Sequence, residues 1–438
     1  MGLEIEFCTL AASISIPLGV CALRAKLYGF GVASKVHGRE YYEKIWEEFR
    51  SLYQSLNIEP FQVITDENDV KMQAGGLQEA DAVFIAVLTG GSSKLIKMMA
   101  EAMGGKKPIV LLAHGFHNSM ASALSAKSRL ESEGYPVYLI EALRPSDAVE
   151  EAAAVVRAVR AVVELRNLKV LQIDAERVYD EGVEASRRFG FRVENVTSEE
   201  LDKTMENVDV REVYEYLRSH FDLGGVDARL LEKPVRLAAA AKKLASERGA
   251  SAVTIDCFPF IMRKGATPCL MMSYLLDEGV ISICEADYRA LVLMTIAKML
   301  TGKPGWIANP SHYDPRTRTL VLAHCTAASS LGSYSTLIPH FETGNPYAVV
   351  TKIEPGTYTL TAISPDFRKL AFALAEVVES GMLSAGRCRT QVVAKLEERS
   401  PEPFTAKAIS NHHVLIVGDV RRELRIVAKL LGMEVIEY

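Results

Sequence analysis

The tetrapeptide Cys284-Glu285-Ala286-Asp287 sets a thiol and two carboxylates at the end of the apolar run Val280 to Cys284 (VISIC). Five of the nine histidines follow it: His312, His324, His340, His412 and His413. Imidazole nitrogen and carboxylate oxygen together can bind a divalent ion. Each histidine taken alone has a structural reading beside the ligand one, and spacings this wide form no metal motif until a fold gathers them. A further acid, Asp256, ends a second apolar run that begins at Ala252.

The N-terminal half carries a different chemistry. Thr89-Gly90-Gly91-Ser92-Ser93 sits at a strand-to-helix junction, where free amides can hold a phosphate or carboxylate. It has neither the Gly-Lys-Ser/Thr ending of a P-loop nor the Gly-x-Gly-x-x-Gly spacing of a dinucleotide site. Tight-turn packing and a substrate-facing loop built on Gly91 and Ser92 both remain open. His114, His117 and Asn118 follow the run PIVLLA, either as site residues or as a capped loop opening the next helix. Lys264 could hold an anionic group or simply be solvated.

The elements that must position these groups follow from periodicity. Ala82–Leu88, Pro108–Ala113 and Tyr135–Ile140 are short apolar runs suited to buried parallel strands, with amphipathic helices between them. A second cycle runs through Lys169–Ile173, Phe191–Val196, Ala252–Asp256 and Val280–Cys284, with a loop after Asp256 and a helix around Leu270–Leu276. In such sheets ligands bind beyond the carboxyl ends of the strands, where Asp256, Glu285 and Asp287 stand. Past residue 300, short β segments separated by Pro and Gly turns have the profile of an antiparallel barrel or sandwich. The expected fold is α/β: two doubly wound, Rossmann-like parallel-sheet domains (1–163 and 164–300) and a C-terminal antiparallel β-barrel domain (301–438).

The 438 residues carry 50 basic and 55 acidic side chains, a formal net charge of −5. That balance, without a long basic run, argues against an electrostatic nucleic-acid binder. No stretch supplies the roughly 18 uncharged apolar residues of a membrane span. Cys8 to Leu23 comes nearest, broken by Thr9, Ser13, Ser15 and Pro17 and preceded by Glu4 and Glu6 rather than a cationic start. A cytoplasmic protein with no membrane partner is expected. Seven dispersed cysteines without Cys-x-x-Cys spacing argue against a disulfide framework or four-thiolate zinc site, and read mostly as small buried hydrophobes.

Several segments resemble one family. Glu285-Ala-Asp, the following helix to Leu300-Thr-Gly302, Trp306–Asn309, LVLAH ending on His324, and the tail Asn411-His412-His413-Val-Leu-Ile-Val-Gly-Asp resemble the L-fucose isomerase and L-arabinose isomerase superfamily. The motif match runs from about residue 280 to the end; earlier it is architectural. The resemblance implies a Mn²⁺ site, or one for another divalent ion such as Co²⁺ or Mg²⁺, formed by Glu285, Asn309, His324 and His412, with His413 as the adjacent alternative. It implies an aldose–ketose isomerase acting through an ene-diol, with Glu285 as ligand and base and Asn309 and Asp287 beside it. The family has an aspartate where this chain has Asn309, which brings no charge and no basicity. Asp256, Asp287 or Asp314 could substitute.

An ene-diol path moves a proton between C1 and C2 while the carbonyl changes place. A metal across both oxygens stabilises the developing negative charge, and carboxylates shuttle the protons. His340 and Glu342, in the turn before a barrel strand, are expected at the rim for sugar hydroxyls, or as a structural turn. The family also implies a homo-trimer or homo-hexamer, in which the loops around Thr89–Ser93 and His114–Ser119 reach a neighbour's substrate. Two alternatives stay open: another carbohydrate enzyme on the same fold, such as an epimerase or one acting on a modified sugar, and a non-catalytic sugar-binding protein.

Overall fold

A computed structural model of the chain describes residues 25–397 and 402–438. The Cys8–Leu23 run, with Cys8 and Cys21, lies outside them. Among the described residues no helix is long and apolar enough to cross a membrane.

The first sheet contains β1 (Leu27–Val32), β2 (Glu59–Ile64), β3 (Ala82–Val87), β4 (Ile109–His114) and β5 (Val137–Ala142), interleaved with helices α1 (Arg39–Ser55), α2 (Glu67–Met72), α3 (Ala74–Glu79), α4 (Ser93–Ala102) and α5 (Ser119–Ser132). Its order is β2-β1-β3-β4-β5, every pairing parallel. β1, β3 and β4 are buried at every position, as strands covered on both faces must be.

Helix α6 (Val149–Asn167) joins this block to the rest. Its Ala and Val residues are buried on several sides, because it packs against two later helices, α13 and α15, given below.

The second sheet holds β6 (Lys169–Ile173), β7 (Arg192–Val196), β8 (Ala252–Ile255) and β9 (Ile281–Cys284), parallel in the order β7-β6-β8-β9. Between them lie α7 (Asp180–Phe189), α8 (Ser198–Asn207), α9 (Arg211–His220), α10 (Glu232–Glu247), α11 (Cys257–Lys264) and α12 (Cys269–Asp277), and α13 (Tyr288–Thr301) follows β9. The loop expected after Asp256 is instead helix α11. Pro259 falls in its first turn, where its missing N–H costs no helical bond, and Gly265 closes it in the left-handed region at φ 66°.

The last block comprises β10 (Trp306–Asp314), β11 (Thr319–His324), β12 (Gly332–Ile338), β13 (Ala348–Ile353), β14 (Gly356–Ile363), β15 (Lys369–Gly381), β16 (Thr390–Glu397), helix α14 (Phe404–Lys407), β17 (His413–Val417), α15 (Arg421–Leu431) and β18 (Glu434–Glu437). The order β14-β17-β10-β11-β16-β15 closes because β15 pairs back onto β14, giving a six-stranded antiparallel barrel. β18 adds in parallel to β15, and β12–β13 form a separate hairpin. Closure removes the open strand edges a flat sheet would leave. The chain is therefore α/β, with two parallel sheets and a C-terminal barrel. The barrel register sets Asn309 opposite Ala323, Ala308 opposite His413, and His324 opposite Thr390.

Candidate functional site

Pairing of β8 with β9 puts Ile255 opposite Cys284, so Asp256 and Glu285 leave neighbouring strands at the same carboxyl edge. There the backbone turns sharply: Glu285 and Ala286 both adopt the left-handed region, at φ 58° and 48°, which non-glycine residues rarely occupy. The amide of Ala286 donates to Ile255 O, and the Asp287 side chain accepts from Ala290 N at 2.8 Å to cap α13. Successive side chains of a straight strand point to opposite faces. This turn instead brings Cys284 Sγ within 3.5 Å and Glu285 Oε1 within 3.7 Å of the same atom, His324 Nε2.

On its other side the Glu285 carboxylate meets the C-terminal histidine. Glu285 Oε2 lies 3.6 Å from His412 Nε2, while His412 Nδ1 bonds Asp287 Oδ2 at 2.7 Å. Arg289 also reaches Asp287, at 3.3 Å. His412 Nε2 is buried and has no hydrogen-bond partner among the described residues. A buried nitrogen without a partner costs free energy unless something accepts its lone pair or proton. Two donors sharing an ion at about 2.1 Å stand about 3–3.5 Å apart, close to the spacing of Glu285 from each histidine. The ligand atoms of Cys284, Glu285 and His324 all lie within 4.8 Å of one another, a grouping that could hold a divalent ion, and His412 flanks the other oxygen of Glu285.

The electrostatics agree. Burial opposes charge on Glu285, but His324 and His412 outweigh it and hold its pKa below the ordinary carboxyl value. Burial likewise disfavours the cation of His412, yet Asp287 overrides it and raises the pKa. His324, fully enclosed, has its pKa lowered by burial despite Glu285. Asp256, beneath the Tyr179 hydroxyl at 3.4 Å, has its pKa raised, by burial first and by the nearby Glu285 charge in addition.

A cavity of about 190 Å³ opens onto Glu285, and Asn309, His324, His340 and Glu342 share its wall. The structure thus collects residues from 285 to 342 that the sequence scatters. His340 is buried, its Nδ1 3.2 Å from Thr343 Oγ1 and its ring edge-on to Phe258. All five described cysteines, Cys257, Cys269, Cys284, Cys325 and Cys388, also line this cavity as free thiols. Dispersal along the chain hid that convergence; four of the five are buried as expected, but around one space rather than through the core. Phe258, Ile261, Pro268, Met272 and Thr326, unmarked in the sequence, complete the wall.

Other nominated residues fall elsewhere. His413 faces away, its Nε2 3.0 Å from Tyr438 Oη and its pKa pushed down to about 3 by burial, so His412 is the one aimed at Glu285. Asp314 ends β10, away from the cavity, accepting from Arg316 N. Lys264 pairs with Asp202 at 2.7 Å. At the end of the first sheet, Ser92 is fully enclosed: its hydroxyl bonds Thr89 O and Ser122 Oγ, and its amide donates to Ser122 Oγ. Of the two readings of the glycine turn, tight packing and a substrate-facing loop, the bonds of Ser92 are those of packing.

The Gly90 amide donates to His117 O, and a Cβ on Gly90 would meet Asn118 Cβ at 2.8 Å, so the glycine turn is shaped by close packing. Gly91 is left-handed at φ 75° beside Ser34. The His117 ring lies against Tyr41, centroids 3.5 Å apart. Asn118, also left-handed, makes no side-chain cap bond. His114 is locked between Leu88 O and the Phe116 amide. None of this cluster lines the Glu285 cavity of its own chain.

No family model matches the chain. It is similar to a protein named sulfoquinovose isomerase from Alkalicoccus urumqiensis, 23% identical over 226 residues, covering 48% of this chain and 49% of that one. A protein of the same name from Clostridium sp. (strain MSTE9) is 26% identical over 352 residues, covering 73% and 76%. The chain thus spans about half the length of the first relative and three quarters of the second. Among solved structures, an ABC transporter solute-binding protein from Agrobacterium vitis bound with alpha-D-tagatopyranose covers 63% of this chain at 12% identity, with a TM-score of 0.17, too low to carry an argument.

Proposed function

We propose that this chain is a sugar isomerase that interconverts an aldose and a ketose, with a sulfonated hexose as its substrate class. The observation that carries the reading is the Glu285 carboxylate set between His324 Nε2 and His412 Nε2 at 3.7 and 3.6 Å, open to a cavity. The relatives named sulfoquinovose isomerase support both the reaction and the substrate.

Glu285, His324 and His412 would hold a divalent ion, with Asn309 on the same wall offering an amide oxygen. When bound, such an ion polarises the carbonyl and hydroxyl oxygens on C1 and C2 and stabilises ene-diolate charge. Proton movement falls to this chain's carboxylates. Asp256 stands at the adjacent strand end, where burial and the Glu285 charge raise its pKa above the ordinary carboxyl value and make it a readier proton carrier than an exposed carboxylate. It serves as the second acid that Asn309 does not provide: Glu285 takes the proton from C2 as Asp256 protonates O1, and Glu285 then gives that proton to C1 as Asp256 takes the proton from O2, leaving the carbonyl at C2.

A sulfonate needs a cation. Among its described lining residues the cavity has no Lys or Arg. Arg389 follows the lining residue Cys388, donates from Nε to Pro339 O at 2.8 Å, and covers the Phe341 ring between lining residues His340 and Glu342. Arg389 is our assignment for the sulfonate. The first-sheet loops at Gly91 and His117–Asn118 would serve a neighbouring copy's cavity in a homo-oligomer. Light-scattering mass, with complementation between His117→Ala and Glu285→Gln chains, tests that arrangement.

The deciding experiment incubates the protein with sulfoquinovose and neutral aldoses, with and without Mn²⁺ or Co²⁺, and identifies products by NMR. Ketose formation that Glu285→Gln abolishes supports the reading; a C2-epimeric aldose instead of a ketose overturns it in favour of an epimerase. A second reading, sugar binding without turnover, is favoured by the neutral Asn309. Saturable binding with no product across the panel would establish it.

A further inference from the structure

We propose that Cys284 is a thiolate ligand of the ion held by Glu285, His324 and His412, making this a mixed sulfur–nitrogen–oxygen centre. The inference rests on the divalent-ion reading of those three residues and adds a fourth donor to it. Cys284 Sγ and Glu285 Oε1 converge on His324 Nε2, at 3.5 and 3.7 Å, and the ligand atoms of these three residues all lie within 4.8 Å of one another. Zinc–sulfur and zinc–nitrogen distances of about 2.3 and 2.05 Å place tetrahedral neighbours about 3.5 Å apart, which is the Cys284–His324 spacing.

The backbone supplies an independent reason. Adjacent residues of an extended strand cannot share a ligand; two consecutive left-handed residues at 285 and 286 let them do so here. Such conformations persist where the surrounding structure over-determines them and cluster at functional sites. A sulfur donor also fills the place left by Asn309. The neutral amide brings no charge, whereas a thiolate restores a second anion and shifts preference from the hard Mn²⁺ towards Zn²⁺ or Co²⁺. On binding, the S–H bond breaks, the proton leaves to solvent and the sulfur pair forms the bond to the ion. The rival account is a neutral thiol hydrogen-bonded to His324.

Titration of the full chain with Co²⁺, followed by near-ultraviolet absorption and calorimetry, separates the two. Expected is a thiolate-to-cobalt charge-transfer band that saturates at one ion per chain. Cys284→Ser should remove it, while Cys388→Ser, another cysteine of the same cavity, should keep it. Cys284→Ser should also lower Zn²⁺ affinity about tenfold more than Mn²⁺ affinity. Stoichiometric Co²⁺ binding without the band in the unaltered protein would overturn the Cys284 assignment and leave the three-residue site standing. A band that survives Cys284→Ser does the same. Failure to bind either Co²⁺ or Mn²⁺ would overturn the divalent-ion reading itself.

Discussion

Asp287 Oδ2 and His412 Nδ1 lie 2.7 Å apart although 125 positions separate them in the chain. This contact fixes which imidazole nitrogen faces the cavity: with Nδ1 engaged, Nε2 points at Glu285. Asp287 also caps α13 through Ala290 N, so the histidine is referenced to the same helix start that follows Glu285. Partners that orient a metal-binding histidine in this way typically govern affinity by about 10–100-fold.

Asp287→Asn should therefore weaken Mn²⁺ or Co²⁺ binding by about that factor and lower stability by about 1–3 kcal/mol, since a hydrogen bond to a charged group is lost. The pH dependence has a definite sign. Asp287's pKa is lowered by His412 and Arg289 against its burial, so its contribution is present above the ordinary carboxyl value and lost as pH falls through the folded value. His412's pKa is raised, so its contribution is complete below the ordinary imidazole value and lost as pH rises through the higher folded one. In metal-free protein the stability gap between the parent and Asp287→Asn should be widest between about pH 4 and 6.5 and narrow towards pH 9. Denaturant melts across pH measure it; a gap that widens above pH 8 would refute the pairing.

Glu285→Gln removes the charge shared by two histidines while keeping the shape. Turnover should fall by about 10²–10⁴-fold, the worth of a positioned base, and metal affinity should fall with it. Full activity in this variant, measured by ketose formation, would disprove the role.

The second acid is a separate question. Asp256→Asn should reduce kcat by about 10²-fold or more with little change in KM, because its proton transfer occurs only in the transition state. Asn309→Asp should tighten metal binding without raising kcat. If instead Asn309→Asp gains turnover and Asp256→Asn loses none, Asp256 is not the missing acid.

Much of this was legible in the sequence, and the remainder was hidden for physical reasons. Continuous apolar runs such as Ala82–Val87 and alternating-face segments in the barrel announce themselves, because buried parallel strands and closed antiparallel ones leave different patterns. Glu285 was readable as a carboxylate at a strand's carboxyl end. The cysteine-lined wall was not, since Cys257, Cys269 and Cys284 of the second sheet's block meet Cys325 and Cys388 of the C-terminal block only through folding. Nor could periodicity expose the left-handed pair at Glu285 and Ala286, because neither is a glycine. Ser92 was open to either reading for the opposite reason: its type suits ligand binding and tight packing alike, and only the fold shows Ser122 and Thr89 consuming its bonds.

The helix start behind the site depends on a glycine. A Cβ at Gly182 of α7 would lie 2.6 Å from Tyr288 Cζ, and Tyr288, buried at the first turn of α13, donates to Gln172 Oε1. Gly182→Ala should cost about 1–3 kcal/mol by overpacking, with part of the loss appearing as weaker metal binding through the displaced Asp287 cap. Chemical denaturation beside metal calorimetry checks both; an alanine variant as stable as the parent would show that Tyr288 moves freely.

Substrate choice turns on Arg389. It is half-buried, tied by Nε to Pro339 O and lying over Phe341, so its guanidinium is held beside the cavity rather than swept through solvent. A planar fork of donors matches the oxygens of a sulfonate, as it does those of a carboxylate or phosphate. A charged hydrogen bond of about 1.5–3 kcal/mol corresponds to about 10–150-fold in binding. Arg389→Ala should therefore raise KM for sulfoquinovose by about that factor and leave KM for a neutral 6-deoxy or 6-hydroxy aldose within about twofold. Arg389→Lys should recover only part of the loss, because an ammonium keeps the charge without the fork. Equal losses on both substrates would mean that Arg389 holds the turn rather than the sulfonate, and the cation would then have to come from another residue or from a neighbouring copy.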